Sequence, residues 1–265
     1  MKIAWLSDLH LDFVKNGKLN GLLKEIRNSK SEAILISGDI STSGMLTGHL
    51  DLLAKHLELP IYFVLGNHDF YGSSIAKTSG LVIRHCAASA QLTWLSGSRP
   101  VRLTERTILL GHDSWADGRY GDYEASAVEL NDYFLIDEFI DASKSERLFI
   151  MQSLAGQAVS YLKENMPNAI PKADHIIFVT HPPPFKETSR YNGKIAANVF
   201  LPHFSCRIVG DLLSAYALAN PEKQFTVLCG HTHSEADIKI HRNLQVLAAQ
   251  AEYGKPAIQR ILEIT

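Results

Sequence analysis

Tyr62-Phe63-Val64-Leu65-Gly66-Asn67-His68-Asp69 is an apolar run that ends on a glycine followed by three polar side chains. A short apolar run bounded by turn residues reads as a buried strand, and a glycine at its end lets the backbone turn sharply and approach a ligand. The pattern recurs. Ile34-Leu35-Ile36-Ser37 ends in Gly38-Asp39, and Val227-Leu228-Cys229 ends in Gly230-His231-Thr232-His233. Ala4-Trp5-Leu6-Ser7 ends in Asp8-Leu9-His10, and Ile177-Phe178-Val179-Thr180 ends in His181-Pro182. Between the first of these runs, Leu19, Leu22, Leu23 and Ile26 repeat at helical spacing, as do Leu46, Leu50, Leu53 and Leu57 ahead of Ile61. This βαβαβ rhythm predicts parallel strands with right-handed crossovers. Their carboxyl ends would share one sheet edge, where α/β proteins bind ligands.

Further along, Leu92 to Leu95, Val101 to Leu103 and Thr107 to Leu110 read as strands around a Gly97-Ser98 turn. A helix is expected from about Ser145 to Asn165, with strands resuming at Ile176 to Val179 and Phe225 to Cys229. Ala236 to Ile240, Leu244 to Leu247 and Ile258 to Ile264 read as a closing meander. No repeat or linker divides the chain, so one domain over 1–265 is expected. Residues 113 to 142 break the rhythm. They carry Gly118 and Gly121, the aromatics Trp115, Tyr120, Tyr123, Tyr133 and Phe134, and the acids Asp132, Asp137, Glu138 and Asp141. Such an irregular insertion is either a lid over a site or a surface excursion over another face of the core.

Composition narrows the class. The 265 residues are 46% hydrophobic and 20% charged, enough apolar material for a sizeable core. A net charge of -2 gives no global basic field for nucleic acid. Cys86, Cys206 and Cys229 are too sparse for a disulfide framework and lack CxxC spacing, so they read as reduced, buried thiols. Met1-Lys2 leads straight into Ile3-Ala4-Trp5-Leu6, without the length of a signal-peptide core, and no apolar stretch is long enough to span a bilayer. A cytoplasmic protein without a membrane partner is expected, and nothing in the sequence sets an oligomeric state.

The side chains gathered at the strand ends are two Asp, one Asn and several His. Carboxylate, amide and imidazole without thiolate suit Mn, Fe or Zn better than Ca or a cysteine-bound zinc. Asp8 and His10 stand two apart, as do His231 and His233, and in extended backbone each pair projects to one side. Each fragment alone is a weak signal, but five in this order, each after an apolar run, are hard to attribute to turn chemistry.

In that order the fragments resemble the motifs of the calcineurin-like metallophosphoesterases: D-x-H, G-D, G-N-H-D/E, a lone histidine and G-H-x-H. The resemblance runs from residue 8 to residue 233. It implies an α/β fold of two packed mixed β-sheets flanked by helices, an αββα sandwich with two divalent metal ions at the strand ends. It implies Asp8, His10, Asp39 and His233 around one ion and Asp39, Asn67, His181 and His231 around the other, with Asp39 bridging. His68 would be the general acid that also contacts phosphate, and Asp69 would support it. The implied enzyme is a metal-dependent phosphoric ester hydrolase in which a metal-bridging hydroxide attacks phosphorus. Thr180 stands where the family often has glycine, which leaves the neighbouring ligand unaffected.

The fuller pattern of the protein serine/threonine phosphatases is absent, because Gly38-Asp39 continues as Ile40-Ser41-Thr42 and Leu65 precedes Gly66. No run of Lys or Arg supplies the cationic track a nuclease needs. A small phosphorylated substrate, a phosphodiester or a nucleotide, is therefore expected, with a nuclease or a non-catalytic scaffold as the alternatives. His112 follows Leu109-Leu110-Gly111 in the same pattern but outside the motifs, and reads as a core residue or a support for a ligand. Arg119, Arg190 and Asn192 lie in irregular segments; each is either a grip on substrate or a solvated surface residue.

Overall fold

Strand β1 (Lys2–Leu6) buries Ile3, Ala4, Trp5 and Leu6, so both of its faces need cover. In the computed structural model, which describes residues 1–265 apart from the Asn16 side chain, β1 pairs in parallel with β2 (Ala33–Ser37). Parallel pairing continues to β3 (Ile61–Val64) and then to β4 (Leu92–Trp94). The crossovers are α1 (Asn16–Asn28), α2 (Ser43–Leu57) and α3 (Ile75–Ala87). The apolar stripes of α1 and α2 pack on Ala4, Leu6, Ile34 and Ile36. The alternate residues Ile3, Trp5, Leu35 and Val64 face the other way, as strand pleating requires, and meet Leu109, Ile177, Val179, Leu228 and Leu247 of a second sheet.

That second sheet contains β5 (Val101–Arg102), β6 (Thr107–Gly111) and β7 (His175–Val179). Between β6 and β7 the chain forms α4 (Asp132–Leu135) and α5 (Lys144–Ala169), and after β7 a small hairpin of β8 (Arg190–Tyr191) and β9 (Lys194–Ile195). Next are α6 (Leu201–Phe204), α7 (Arg207–Ala219) and β10 (Gln224–Cys229). The chain closes with β11 (Ala236–His241), β12 (Leu244–Ala248) and β13 (Ile258–Glu263). The second sheet runs β11-β12-β10-β7-β6-β5, with antiparallel pairs at its two edges. Its outer face packs against α5 and α7 through Ala158, Leu162, Val209 and Leu213. The result is two mixed β-sheets flanked by helices, as the resemblance implies.

The Gly97-Ser98 segment carries the chain from β4, at the edge of the first sheet, to β5, at the edge of the second. One expectation needs correction: the three closing strands are not a meander. β11 and β12 pair antiparallel, but β13 returns to the first sheet and pairs antiparallel with β1, Lys2 opposite Glu263 and Ala4 opposite Ile261. The reason lies in the backbone: β1 is buried on both faces, and without β13 its outer edge would leave N–H and C=O groups unpaired. Among the described residues no helix is long and apolar enough to cross a membrane, and all three cysteines are free.

Candidate metal centre

Five strand ends meet where the two sheets face each other. Asp8 and His10 follow β1, Asp39 follows β2, and Asn67, His68 and Asp69 follow β3; His181 follows β7, and His231 and His233 follow β10. The expected extended geometry of the Asp8/His10 and His231/His233 pairs is not what forms. Asp8, His10, Asp39, His231 and His233 are all left-handed, with φ of 49°, 41°, 52°, 71° and 52°. The chain must turn inward immediately after each strand, and left-handed backbone achieves this. It costs a non-glycine residue about 1–3 kcal/mol, although Asp and His tolerate it better than most. Cross-loop hydrogen bonds hold the turns: Asp8 N to Gly38 O at 3.0 Å, His10 N to Asp39 O at 3.0 Å, and His231 N to Asp8 Oδ1 at 2.9 Å. Gly38 has φ 96°, and a Cβ there would run into the His181 ring. At Gly230 a Cβ would strike the Asp8 carboxylate and the Ser7 hydroxyl.

The donors fall into two groups. Asp8, His10, Asp39 and His233 each offer one ligand atom, all within 4.8 Å of one another. His10 Nε2 and His233 Nε2 are 3.1 Å apart, His233 Nε2 is 3.4 Å from Asp8 Oδ1, and His10 Nε2 is 3.7 Å from Asp39 Oδ2. Beside them Asn67 Oδ1 lies 3.1 Å from His181 Nε2 and 3.0 Å from His231 Nδ1, and His181 Nε2 lies 3.4 Å from Asp39 Oδ1. Asp39 touches both groups.

Surrounding bonds set which atoms face inward. His181 Nδ1 donates to Ser37 O at 2.9 Å, and His231 Nε2 donates to His203 O at 3.2 Å, so each presents its other nitrogen to the cluster. Asn67 Nδ2 donates to Asp132 Oδ1 at 2.7 Å and to the Tyr71 hydroxyl at 3.1 Å, which turns Oδ1 toward the two histidines. The Asp8 and Asp39 carboxylates are buried, and among the described residues their ion-pair partners are histidines alone, with no Lys or Arg. Buried carboxylates need compensation, and here only imidazoles, which are themselves metal-ligand groups, stand beside them. This donor set can coordinate one or more metal ions.

Charge follows the same geometry. Burial pushes the Asp39 carboxyl up, but the neighbouring His181 and His68 outweigh it and hold Asp39 well below the usual range. Burial would lower His181, yet Asp39 beside it brings the imidazolium up to about 10. His231 has no such net gain; desolvation, with His181 nearby, takes it down to about 4. Burial and the Asp39 charge together raise Asp69 well above the carboxylate range.

Asp69 is bonded to backbone around the turn that carries His68. Its Oδ1 accepts from Ile40 N and Ser41 N at 2.9 and 2.8 Å, and its Oδ2 accepts from Gly66 N at 2.8 Å; none of these reaches the His68 ring. It ties the loop after β2 to the loop after β3 because three unpaired backbone donors surround it. The His68 ring instead stands 4.5 Å from His10 and 4.3 Å from Tyr71 between centroids, with the Tyr253 hydroxyl 3.4 Å from Nε2. His112 lies outside both donor groups: it accepts from Ser114 N, and burial drives it down to about 4. Arg119 pairs with Asp117 at 3.4 Å, and Asn192 is in the exposed turn between β8 and β9. Arg190 lines the cavity over the site, with Nε and Nη1 bonded to Glu187 O and Gly193 O.

That cavity measures about 610 Å³ and opens over Asp39, Asn67, His68, His231 and His233. Its remaining wall includes Leu130, Asp132, Phe200, Phe204 and Tyr253. Tyr71, Asp132 and Tyr253 carry no motif. Tyr71 has one local cue, its position four residues after Asn67; Asp132 was marked only as one of the acids of the 113–142 insertion, and Tyr253 has no cue.

A family model described as calcineurin-like phosphoesterase matches residues 1–235. No curated protein matches the chain. Among solved structures, phosphopantetheinyl hydrolase from Mycobacterium tuberculosis is 14% identical with a TM-score of 0.69, covering 96% of this chain and 90% of its own. A dimetal phosphatase from Danio rerio is 12% identical with a TM-score of 0.58, covering 94% and 87%. A protein of Thermus thermophilus, TT1561, is 13% identical with a TM-score of 0.54, covering 94% and 89%. At these identities the likeness is one of fold.

Proposed function

The chain belongs to the calcineurin-like phosphoesterase family, and from that premise we propose that it holds two divalent ions and hydrolyses a small phosphate ester, a phosphodiester or a nucleotide. The observation that carries this reading is the pair of donor groups sharing Asp39. Asp8, His10, Asp39 and His233 hold one ion, and Asp39, Asn67, His181 and His231 hold the other. Such ions, when bound, polarise a phosphoryl oxygen and supply activated water for in-line attack.

His68 is not needed as a ligand, and its ring lines the cavity. Its role is to protonate the ester oxygen that leaves as the P–O bond breaks, a transfer suited to imidazole. Tyr253 and Tyr71 flank the ring and set its direction. Asp69 acts through the backbone, fixing the turn that carries Asn67 and His68. The family model and the donor chemistry favour an enzyme over a scaffold, and one of the similar structures is itself named a dimetal phosphatase. Residues 1–265 work as one domain, and Leu130 to Asp132 of the 113–142 segment form a wall of the site. Three free thiols suit a reducing, cytoplasmic setting.

The test begins with chelator-stripped protein reloaded with Mn²⁺, Fe²⁺ or Zn²⁺. About two equivalents bound by elemental analysis, with turnover of p-nitrophenyl phosphate or bis-p-nitrophenyl phosphate, is the expected result. Protein that binds two equivalents of any of these ions and cleaves neither ester would overturn the hydrolase; one equivalent at saturation would overturn the paired site.

A further inference from the structure

A phosphoryl group fills a small part of a cavity of about 610 Å³, a volume in the range that encloses most of a drug-sized molecule. The rest of that space must fit something else, and its lining is lopsided. One part of it is polar, Asn67, His68, His231 and His233. A second wall is apolar and comprises Leu130, Ala196, Ala197, Phe200 and Phe204. We propose that this second wall is a subsite for an uncharged, hydrocarbon-rich arm of the phosphate ester. The inference rests on the phosphoesterase reading and narrows its substrate class.

Three observations carry it. The first is continuity. Phe204 meets the His231 ring edge-on at 5.4 Å, and Phe200 stacks parallel to Phe204 at 5.9 Å, so the apolar wall begins at a candidate ligand and runs outward. The second is its extension onto the surface. Tyr191, Ile195, Val199 and Phe200 are 70%, 45%, 37% and 43% exposed, all within one short segment beside the cavity mouth. Single exposed apolar residues are ordinary, but a cluster continuous with a site marks a contact surface.

The third is charge. Arg190 is the one arginine in the lining, which has no lysine, and two of its guanidinium nitrogens are already bonded to Glu187 O and Gly193 O, bracing the β8–β9 hairpin. With Asp39 assigned to the metal ligands, the acid left in the lining is Asp132. An arm with further negative charge would meet that carboxylate with Arg190, already tied to two carbonyls, as the one Lys or Arg in the lining. A hydrocarbon arm loses nothing there and gains from leaving water.

Equilibrium binding to Mn-loaded protein tests the subsite without requiring turnover. The probes are methylphosphonate, butylphosphonate and octylphosphonate, together with 4-carboxybutylphosphonate and the 5′-methylenephosphonate analogue of thymidine 5′-phosphate, all of which carry a non-hydrolysable headgroup. Affinity by calorimetry should rise roughly two- to fourfold per methylene until the wall is covered, and the carboxylated arm should bind at least about tenfold more weakly than butyl. Phe200→Ser and Leu130→Ser should each shrink the octyl-to-methyl ratio. A flat alkyl series, or tighter binding of the carboxylated or nucleoside arm than of octyl, overturns the subsite. Turnover of p-nitrophenyl esters is scored separately. An alkyl gradient without turnover would sustain the wall and count against the hydrolase, and turnover with a flat series would do the reverse.

Discussion

Asn67 can bind a metal only if its amide oxygen, and not its nitrogen, faces His181 and His231. Asp132 decides this, because a carboxylate can only accept, and its Oδ1 takes both the Asn67 amide and the Tyr71 hydroxyl, each at 2.7 Å. Asp132→Ala removes that choice. The second ion should then bind about 10- to 100-fold more weakly, as for other supports of metal ligands, with the first ion little affected. A Mn²⁺ titration read by calorimetry separates the two events, and two native affinities in the variant would refute the assignment. His68 makes the opposite prediction. His68→Ala should keep both ions and lose roughly 10²–10⁴-fold in turnover of esters with poor leaving groups. p-Nitrophenyl esters need less protonation and should lose less; an equal loss on both types would mean that His68 mainly binds phosphate.

His181 adds a pH dependence at the same scale. In the metal-free protein its folded value is raised to about 10 by Asp39, above its ordinary 6.5. Its contribution to stability is therefore fully present below about 6.5 and is lost as pH rises through about 10. An ion must displace that proton, so metal affinity should climb with pH between those limits and binding should release protons. Melting temperature of the metal-free protein from pH 7 to 10, and proton release measured in two buffers, check both signs. A melting temperature that rises over this range in wild type, or falls equally in His181→Gln, would exclude the pair as the cause. The ligand candidates were legible in the sequence because each sits next to its own strand. Their left-handed turns and the supports Asp132, Tyr71 and Tyr253 were not, since these depend on contacts between distant segments.

At the scale of elements, periodicity reveals what packs continuously and misses what packs briefly. β1, α1, β2, α2 and β3 could be read because each carries an unbroken apolar run or stripe. The two-residue strands β5, β8 and β9 are too short to show a period. Val209, Leu213 and Ala217 of α7 do repeat at helical spacing, and are buried, but no strand-end motif points to them. The passage from β4 to β5 was only partly legible, because a Gly-Ser pair signals a turn without saying which sheet receives the next strand. Asp113 fixes that passage. Its Oδ1 accepts from Leu65 N at 2.6 Å, Trp94 Nε1 at 2.9 Å and Ser96 Oγ at 2.7 Å, joining the ends of β3 and β4 to β6. Asp113→Ala would strand three donors in or near the core, at about 1–3 kcal/mol for each one left unsatisfied. Denaturant unfolding should show a loss of about 3 kcal/mol or more; a loss within about 0.5 kcal/mol, the usual surface effect, would mean that water replaces the carboxylate.

Across the whole molecule, the remaining question is whether residues 113 to 142 move over the site or form part of its frame. A lid needs few buried contacts to open readily. This segment instead contributes Trp115, Ala116, Tyr123, Tyr133, Ile136 and Phe139 to the core beneath the first sheet. It also carries Asp132 to Asn67, and Tyr133 bonds His203 at 2.6 Å, the residue whose carbonyl holds His231. Both contacts bear on the Asn67–His231 donor group, so we read the segment as a fixed wall. Replacing it with a short Gly-Ser connection should therefore lower the melting temperature and cost the second ion before any change in substrate preference is measured. The milder exchange of Leu130-Asn131 for Gly-Gly leaves Asp132 and the aromatics in place, and should alter KM while preserving both ions. Metal content and calorimetric melting of the two variants decide the matter. A trimmed protein that keeps two equivalents and its melting temperature, and changes only in KM, would make the segment a lid.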